Sequence, residues 1–168
     1  AAFAGPLTIS GSGTRFNGNM ARTGHGGAIY LAAPSVSTVG TPGLSLATSE
    51  LSNNIASLSG GAVAASNLAS AQQASGSRAS VSLTNSTVSG NLVQSASGNA
   101  AAASLAGNVS LTLNNCTVAQ NDVAANSSGA SIVRSRCTVT AEPMATLTST
   151  IVAMTNSSNS AYNDLADD

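Results

Sequence analysis

The chain has 168 residues with a formal net charge of −1; 42% are hydrophobic and only 7% charged, and it holds no Trp, two Phe and two Tyr. The five arginines, Arg15, Arg22, Arg78, Arg134 and Arg136, are scattered and there is no lysine, which excludes the clustered basic stripe that binding a nucleic-acid backbone requires. No run of about 18 apolar residues occurs, so no membrane insertion is expected, and the aliphatic content with low charge is that of a folded chain with a Leu, Ile, Val and Ala core.

Taken in order, the elements repeat. Residues 1–6 read as a lead-in or partial cap; with no initiating Met and no basic-then-apolar leader, a removed signal peptide or a piece of a longer protein is expected. Leu7-Thr8-Ile9 opens the first repeat as a strand with period-two alternation. Phe16-Asn17-Gly18-Asn19 follows, then Gly26-Gly27-Ala28-Ile29, whose glycines suit a tight corner. The second repeat runs Leu44-Ser45-Leu46, Leu51-Ser52-Asn53-Asn54 and Gly60-Gly61-Ala62-Val63. The third runs Val81-Ser82-Leu83, Val88-Ser89-Gly90-Asn91 and an eroded Gly98-Asn99-Ala100-Ala101. The fourth has Leu111-Thr112-Leu113, Val118-Ala119-Gln120-Asn121 and Ser128-Gly129-Ala130-Ser131. A partial fifth has Ala145-Thr146-Leu147 and Val152-Ala153-Met154-Thr155-Asn156, with one residue inserted. Residues 157–168 read as a polar tail or linker, and Asp164, Asp167 and Asp168 as solvated groups within it.

Each repeat is read as about three short strands separated by Asn and Gly corners. The expected fold is all-β, a right-handed parallel β-helix of about five coils over residues 7–156, with loop insertions at 32–43, 64–80 and 134–144. A helix over the Ala-rich stretch 60–79 is disfavoured by Gly60, Gly61 and Gly76. Stacked at about 4.8 Å, Asn19, Asn54, Asn91, Asn121 and Asn156 form an amide ladder at one corner. Gly26, Gly27, Gly60, Gly61, Gly98 and Gly129 turn another.

The recurring pair of motifs, complete in Phe16 to Asn19 with Gly26 to Ile29, resembles the FxxN and GGA[ILV] repeats of chlamydial-type polymorphic outer-membrane proteins and of similar surface proteins in the pectin-lyase-like superfamily. The resemblance covers residues 7–156. It implies a parallel β-helix displayed on, or released from, a cell surface as an adhesin passenger or stalk, and it names no ligand.

Chemistry is sparse along the chain. Cleaving acidic polysaccharide requires clustered carboxylates, yet outside the tail only Glu50, Asp122 and Glu142 occur, at different phases of the repeat. His25, the single histidine, reads as a surface loop residue. No catalytic residue, metal site or cofactor is expected, and the protein is read as not an enzyme. Cys116 and Cys137 lie 21 residues apart, near the contour of one lean coil, and form either a disulfide or two buried free thiols. Sequons at Asn85, Asn108, Asn115, Asn126 and Asn156 are about as many as this Ser- and Thr-rich composition produces by chance, and glycosylation follows only for a eukaryotic source.

Outward positions of the first strand, Thr8 and Ser10, Ser45 and Ala47, Ser82 and Thr84, Thr112 and Asn114, Thr146 and Thr148, form two columns of small polar groups. They are similar to the Thr columns of ice-binding proteins, and equally to what any solvent-facing strand prefers. The expected function is a noncatalytic extracellular or cell-surface module, structural or adhesive. The alternatives are an ice-binding protein and a carbohydrate-binding or polysaccharide-cleaving pectin-lyase-like protein. Open sheet edges at both ends call for partners: other domains of a larger chain or end-to-end neighbours, with glycans or ice as further ligands and no nucleic acid.

Overall fold

The computed structural model describes residues 2–4, 8–32, 43–67, 78–95, 98–124, 131–135, 143–153 and 165–167, and among them every regular element is a β-strand. The first four are β1 (Ala2–Ala4), β2 (Thr8–Ser12), β3 (Arg15–Asn17) and β4 (Met20–Ala21). The next four are β5 (Ile29–Ala32), β6 (Gly43–Ala47), β7 (Glu50–Ser52) and β8 (Ile55–Ala56). Then come β9 (Val63–Asn67), β10 (Ala79–Thr84), β11 (Thr87–Ser89) and β12 (Leu92–Val93). A fourth set is β13 (Ala103–Gly107), β14 (Val109–Asn114), β15 (Thr117–Ala119) and β16 (Asp122–Val123). The last are β17 (Ile132–Ser135), β18 (Met144–Thr148), β19 (Ile151–Ala153) and β20 (Leu165–Asp167).

From β1 to β19 the chain visits four sheets in turn, so that every fourth strand lies beside its predecessor, always parallel. The first sheet is ordered β1-β5-β9-β13-β17-β20 and the second β18-β14-β10-β6-β2. The third is β19-β15-β11-β7-β3 and the fourth β16-β12-β8-β4. Each set of four strands is one layer. The sequence reading expects about three strands per repeat; the fourth is the two-residue strand after each Asn corner, too short for its alternation to be visible. Strands also occupy part of the expected lead-in, as β1, and of the expected tail, as β20.

Alternation sets which side chains fill the space between the sheets. In the second sheet Leu44, Val81 and Leu111 stack in one inward column and Leu46, Leu83 and Leu113 in the next, all buried. In the third, Leu51, Val88 and Val118 form a buried column that ends on the partly buried Phe16 and Val152. Ile29, Val63, Ala103 and Ile132 do the same in the first sheet. A void of about 10 Å³ among Val63, Val81, Ala103, Leu111 and Ile132 has a wholly apolar lining, too small and too dry for a ligand.

The pairing corrects three alignments read from the sequence. Ile9, not Leu7, stands beside Leu44, because Thr8 pairs with Gly43 and Gly11 with Leu46; two apolar residues spaced by two allow either frame, and Gly11 carries no side chain to decide between them. In the third repeat Ala103 pairs with Val63, which places Ala100, not Gly98, at the position of Gly60. In the fourth, Ile132 pairs with Ala103, one residue out of the expected frame. Gly129 lies outside the described residues.

Candidate functional site

Between the third and fourth sheets the corner has two parts. One residue takes a left-handed conformation, Gly18, Asn53, Gly90 or Gln120, with φ of 67°, 54°, 63° and 56°. The following residue is asparagine, and its side chain turns inward. Asn19 Nδ2 donates to Asn54 Oδ1 (2.9 Å), Asn54 Nδ2 to Asn91 Oδ1 (2.9 Å) and Asn91 Nδ2 to Asn121 Oδ1 (2.8 Å). Each of these oxygens also accepts the backbone N–H of the asparagine one layer earlier, at 3.0 to 3.1 Å. The second amide hydrogen goes to a strand carbonyl, from Asn54 to Phe16 O, Asn91 to Leu51 O and Asn121 to Val88 O. Asn54, Asn91 and Asn121 are 0% exposed, so these bonds satisfy amides that would otherwise be costly to bury. Asn156 lies outside the described residues.

A second ladder, which the sequence reading missed, occupies the corner between the second and third sheets. Here Gly13, Thr48, Asn85, Asn115 and Ser149 take positive φ, and Thr14, Ser49, Ser86, Cys116 and Thr150 follow them. Thr14 N–H donates to Ser49 Oγ (3.2 Å), Ser49 N–H to Ser86 Oγ (3.1 Å) and Cys116 N–H to Thr150 Oγ1 (3.3 Å). Ser49, Ser86 and Thr150 return a bond to the carbonyl two residues back, at 2.7 to 2.9 Å. The signal was available two residues ahead of each FxxN apolar residue, but three residue types share the place and only their hydrogen-bonding groups are alike.

Cys116 is therefore a ladder member. Its buried, free thiol donates toward Leu83 O and Asn114 O, both at 3.3 Å. Its neighbour in the next layer is Thr150; Cys137 lies outside the described residues. Cys116→Ser keeps donor and acceptor and is expected to leave stability within about 1 kcal/mol in urea unfolding, whereas Cys116→Val should cost about 1–2 kcal/mol by withdrawing the thiol donor from the Leu83 carbonyl, while Asn114 O keeps the Asn85 N–H at 2.9 Å.

The corner leading into the first sheet uses Gly26 and Gly60, with φ of 67° and 66°, and then Ala100 at 61°. An alanine there carries a Cβ in a conformation that costs an L-residue about 1 kcal/mol or more. Ala100→Gly is expected to raise the unfolding free energy by about 0.5–1 kcal/mol, read as a higher urea midpoint at unchanged slope. Gly98 is placed for another reason: a Cβ on it would meet Leu58 O and Val93 Cγ1.

On the outer face of the second sheet one column runs Ser10, Ser45, Ser82, Thr112, Thr146 and the next Ser12, Ala47, Thr84, Asn114, Thr148. Thr8, expected in these columns, instead pairs with Gly43. Most of these side chains are exposed and the remainder half-buried. The third sheet carries an ion pair, Arg15 Nε to Glu50 Oε2 at 2.8 Å, with Ser52 Oγ donating to Glu50 Oε1 at 2.6 Å. Asp122 lies on the fourth sheet, apart from Glu50, and Glu142 outside the described residues. His25 stacks on Tyr30, ring centroids 6.0 Å apart. Among the described residues no three His, Cys, Asp or Glu side chains converge as a metal site, and no helix is long and apolar enough to cross a membrane.

Of the described sequon asparagines, Asn85 and Asn115 are exposed and Asn108 is buried; Asn126 and Asn156 lie outside the described residues. Comparison of the chain with protein families, with curated proteins and with solved structures finds no match.

Proposed function

We propose that this chain is a noncatalytic structural module of a surface or secreted assembly, folded as a right-handed parallel β-helix of about five coils and akin to the polymorphic outer-membrane repeats it resembles. The right hand is the one that crossovers between parallel strands take almost without exception. The observation that carries the reading is where the polar groups are spent. The two corner ladders direct amides and hydroxyls to neighbouring layers and so stiffen the stack, while Glu50, Asp122 and His25 stand on separate elements. Half-buried Leu147 and Val152 on the last strands, and exposed Asn19 on the first layer, favour partners at the ends: further domains of a larger chain or stacked neighbours. The test is incubation with neutral and acidic polysaccharides. No new reducing ends are expected, and cleavage that disappears in Glu50→Gln or Asp122→Asn would make the protein an enzyme.

A second reading rests on the outer columns of the second sheet. Five parallel strands set these groups about 4.8 Å apart across strands and about 7 Å apart along them, a regular lattice suited to ordered water or a repeating polymer. Under it the protein shows thermal hysteresis that Thr112→Lys abolishes, with the urea midpoint unchanged; a wild-type protein without hysteresis removes the ice reading.

A further inference from the structure

We propose that Asn85 and Asn115 are acceptor sites for N-linked oligosaccharide and that the sequon at Asn108 is not. The three share the Asn-x-Ser/Thr pattern, so sequence cannot separate them; their places in the layers do. Asn85 and Asn115 occupy the left-handed position of the same corner in adjacent layers, with φ of 49° and 51° and their side chains in solvent. That conformation turns the side chain away from both flanking strands. The middle residues of these sequons, Ser86 and Cys116, point inward as ladder members. The third residues, Thr87 and Thr117, are exposed on the outer face of the third sheet. Each sequon thus presents its amide and its hydroxyl on one outer edge while its centre anchors the corner, and a sugar there displaces no ladder bond. Asn108 is 9% exposed, between β13 and β14, where its backbone exchanges hydrogen bonds with Asn67 and Ala79 and its carbonyl also accepts the Asn67 amide. A glycan at that point would have to pass through the packed edge of the first and second sheets.

The transfer forms one bond and breaks one. Nδ2 of the asparagine attacks the anomeric carbon of a lipid-linked oligosaccharide diphosphate, the anomeric C–O bond breaks, the lipid diphosphate leaves with the electron pair, and one amide proton passes to the transferase base. The inference rests on the surface or secreted reading and on a eukaryotic source, because the transferase acts in that export compartment. The experiment supplies that compartment. The full chain is secreted from a eukaryotic host behind an added leader, and its intact mass is compared before and after a peptide-N-glycosidase, with each site mapped as the Asn-to-Asp change. Modification is expected at Asn85 and Asn115, to be lost individually in Asn85→Gln and Asn115→Gln, and lost in Thr87→Val but retained in Thr87→Ser. Secreted, folded protein bare at both sites, or carrying sugar on Asn108, overturns the proposal. Modification here with no export in the natural host would instead count against the surface reading alone.

Discussion

Asn91→Asp is expected to lower the unfolding free energy at neutral pH by about 3–5 kcal/mol, the cost of leaving a buried charge and its former partners uncompensated. The change is isosteric, so packing is untouched and the effect is electrostatic. Asn91 Nδ2 donates to Leu51 O at 2.9 Å and to Asn121 Oδ1 at 2.8 Å; a carboxylate oxygen there faces two acceptors and donates to neither. The other oxygen keeps the Asn54 N–H and Nδ2 bonds, which offset only part of the loss. Burial and the two facing oxygens raise the folded-state pKa of the new carboxyl above its ordinary value of about 3.9. The protonated form is the one the fold tolerates. The stability that protonation restores is fully present below the unfolded-state pKa and is lost as pH rises through the raised folded-state pKa. Urea unfolding followed by circular dichroism at neutral and mildly acidic pH should therefore show the gap from wild type narrowing with acid. Asn17→Asp, on an exposed position of β3, should show little gap at either pH. A pH-independent deficit in Asn91→Asp would mean that the ladder contributes shape and not hydrogen bonds.

The second large effect is at Gly61. A Cβ there would lie against Ala101 O, 2.9 Å from Leu92 N and 3.0 Å from Leu92 O. All three are backbone atoms, so relief requires moving β12 or the neighbouring layer, and Gly61→Ala is expected to cost about 3 kcal/mol or more. Gly27→Ala meets Gly61 O and the Ile55 backbone in the same way and should cost about as much. Gly24→Ala, where a Cβ meets nothing within 4 Å, is the control and should change stability by less than about 1 kcal/mol. Comparable midpoints for all three variants in urea would show that the corner relaxes freely, contrary to this account.

These two positions mark how far the residues alone can be read. Asn91 is legible because an asparagine recurs at a near-constant interval, and a buried amide stack admits no substitute with the same donors and acceptor. The double glycine at 60 and 61 is legible as a pair, yet its two members act differently: Gly60 supplies the positive φ and Gly61 the close approach of layers. Once Ala100 takes the left-handed position without a glycine, matching by letters slides to Gly98, two residues early. The hydroxyl ladder stays hidden for a related reason, since Thr14, Ser49, Ser86, Cys116 and Thr150 are equivalent only in what they accept and donate.

By itself the sequence determined that the chain is all-β, that its strands recur in a fixed order, and that one corner is built on asparagine, because alternation and spacing are properties of the chain taken one residue after another. Only the tertiary structure decided the frame in which layers pair, the number of strands in each, the role of Cys116 and which sequons reach solvent. Those depend on the partner one layer away, some 30 to 37 residues distant along the chain, and hydrogen bonds between layers are made by chemical groups whatever the residue that carries them.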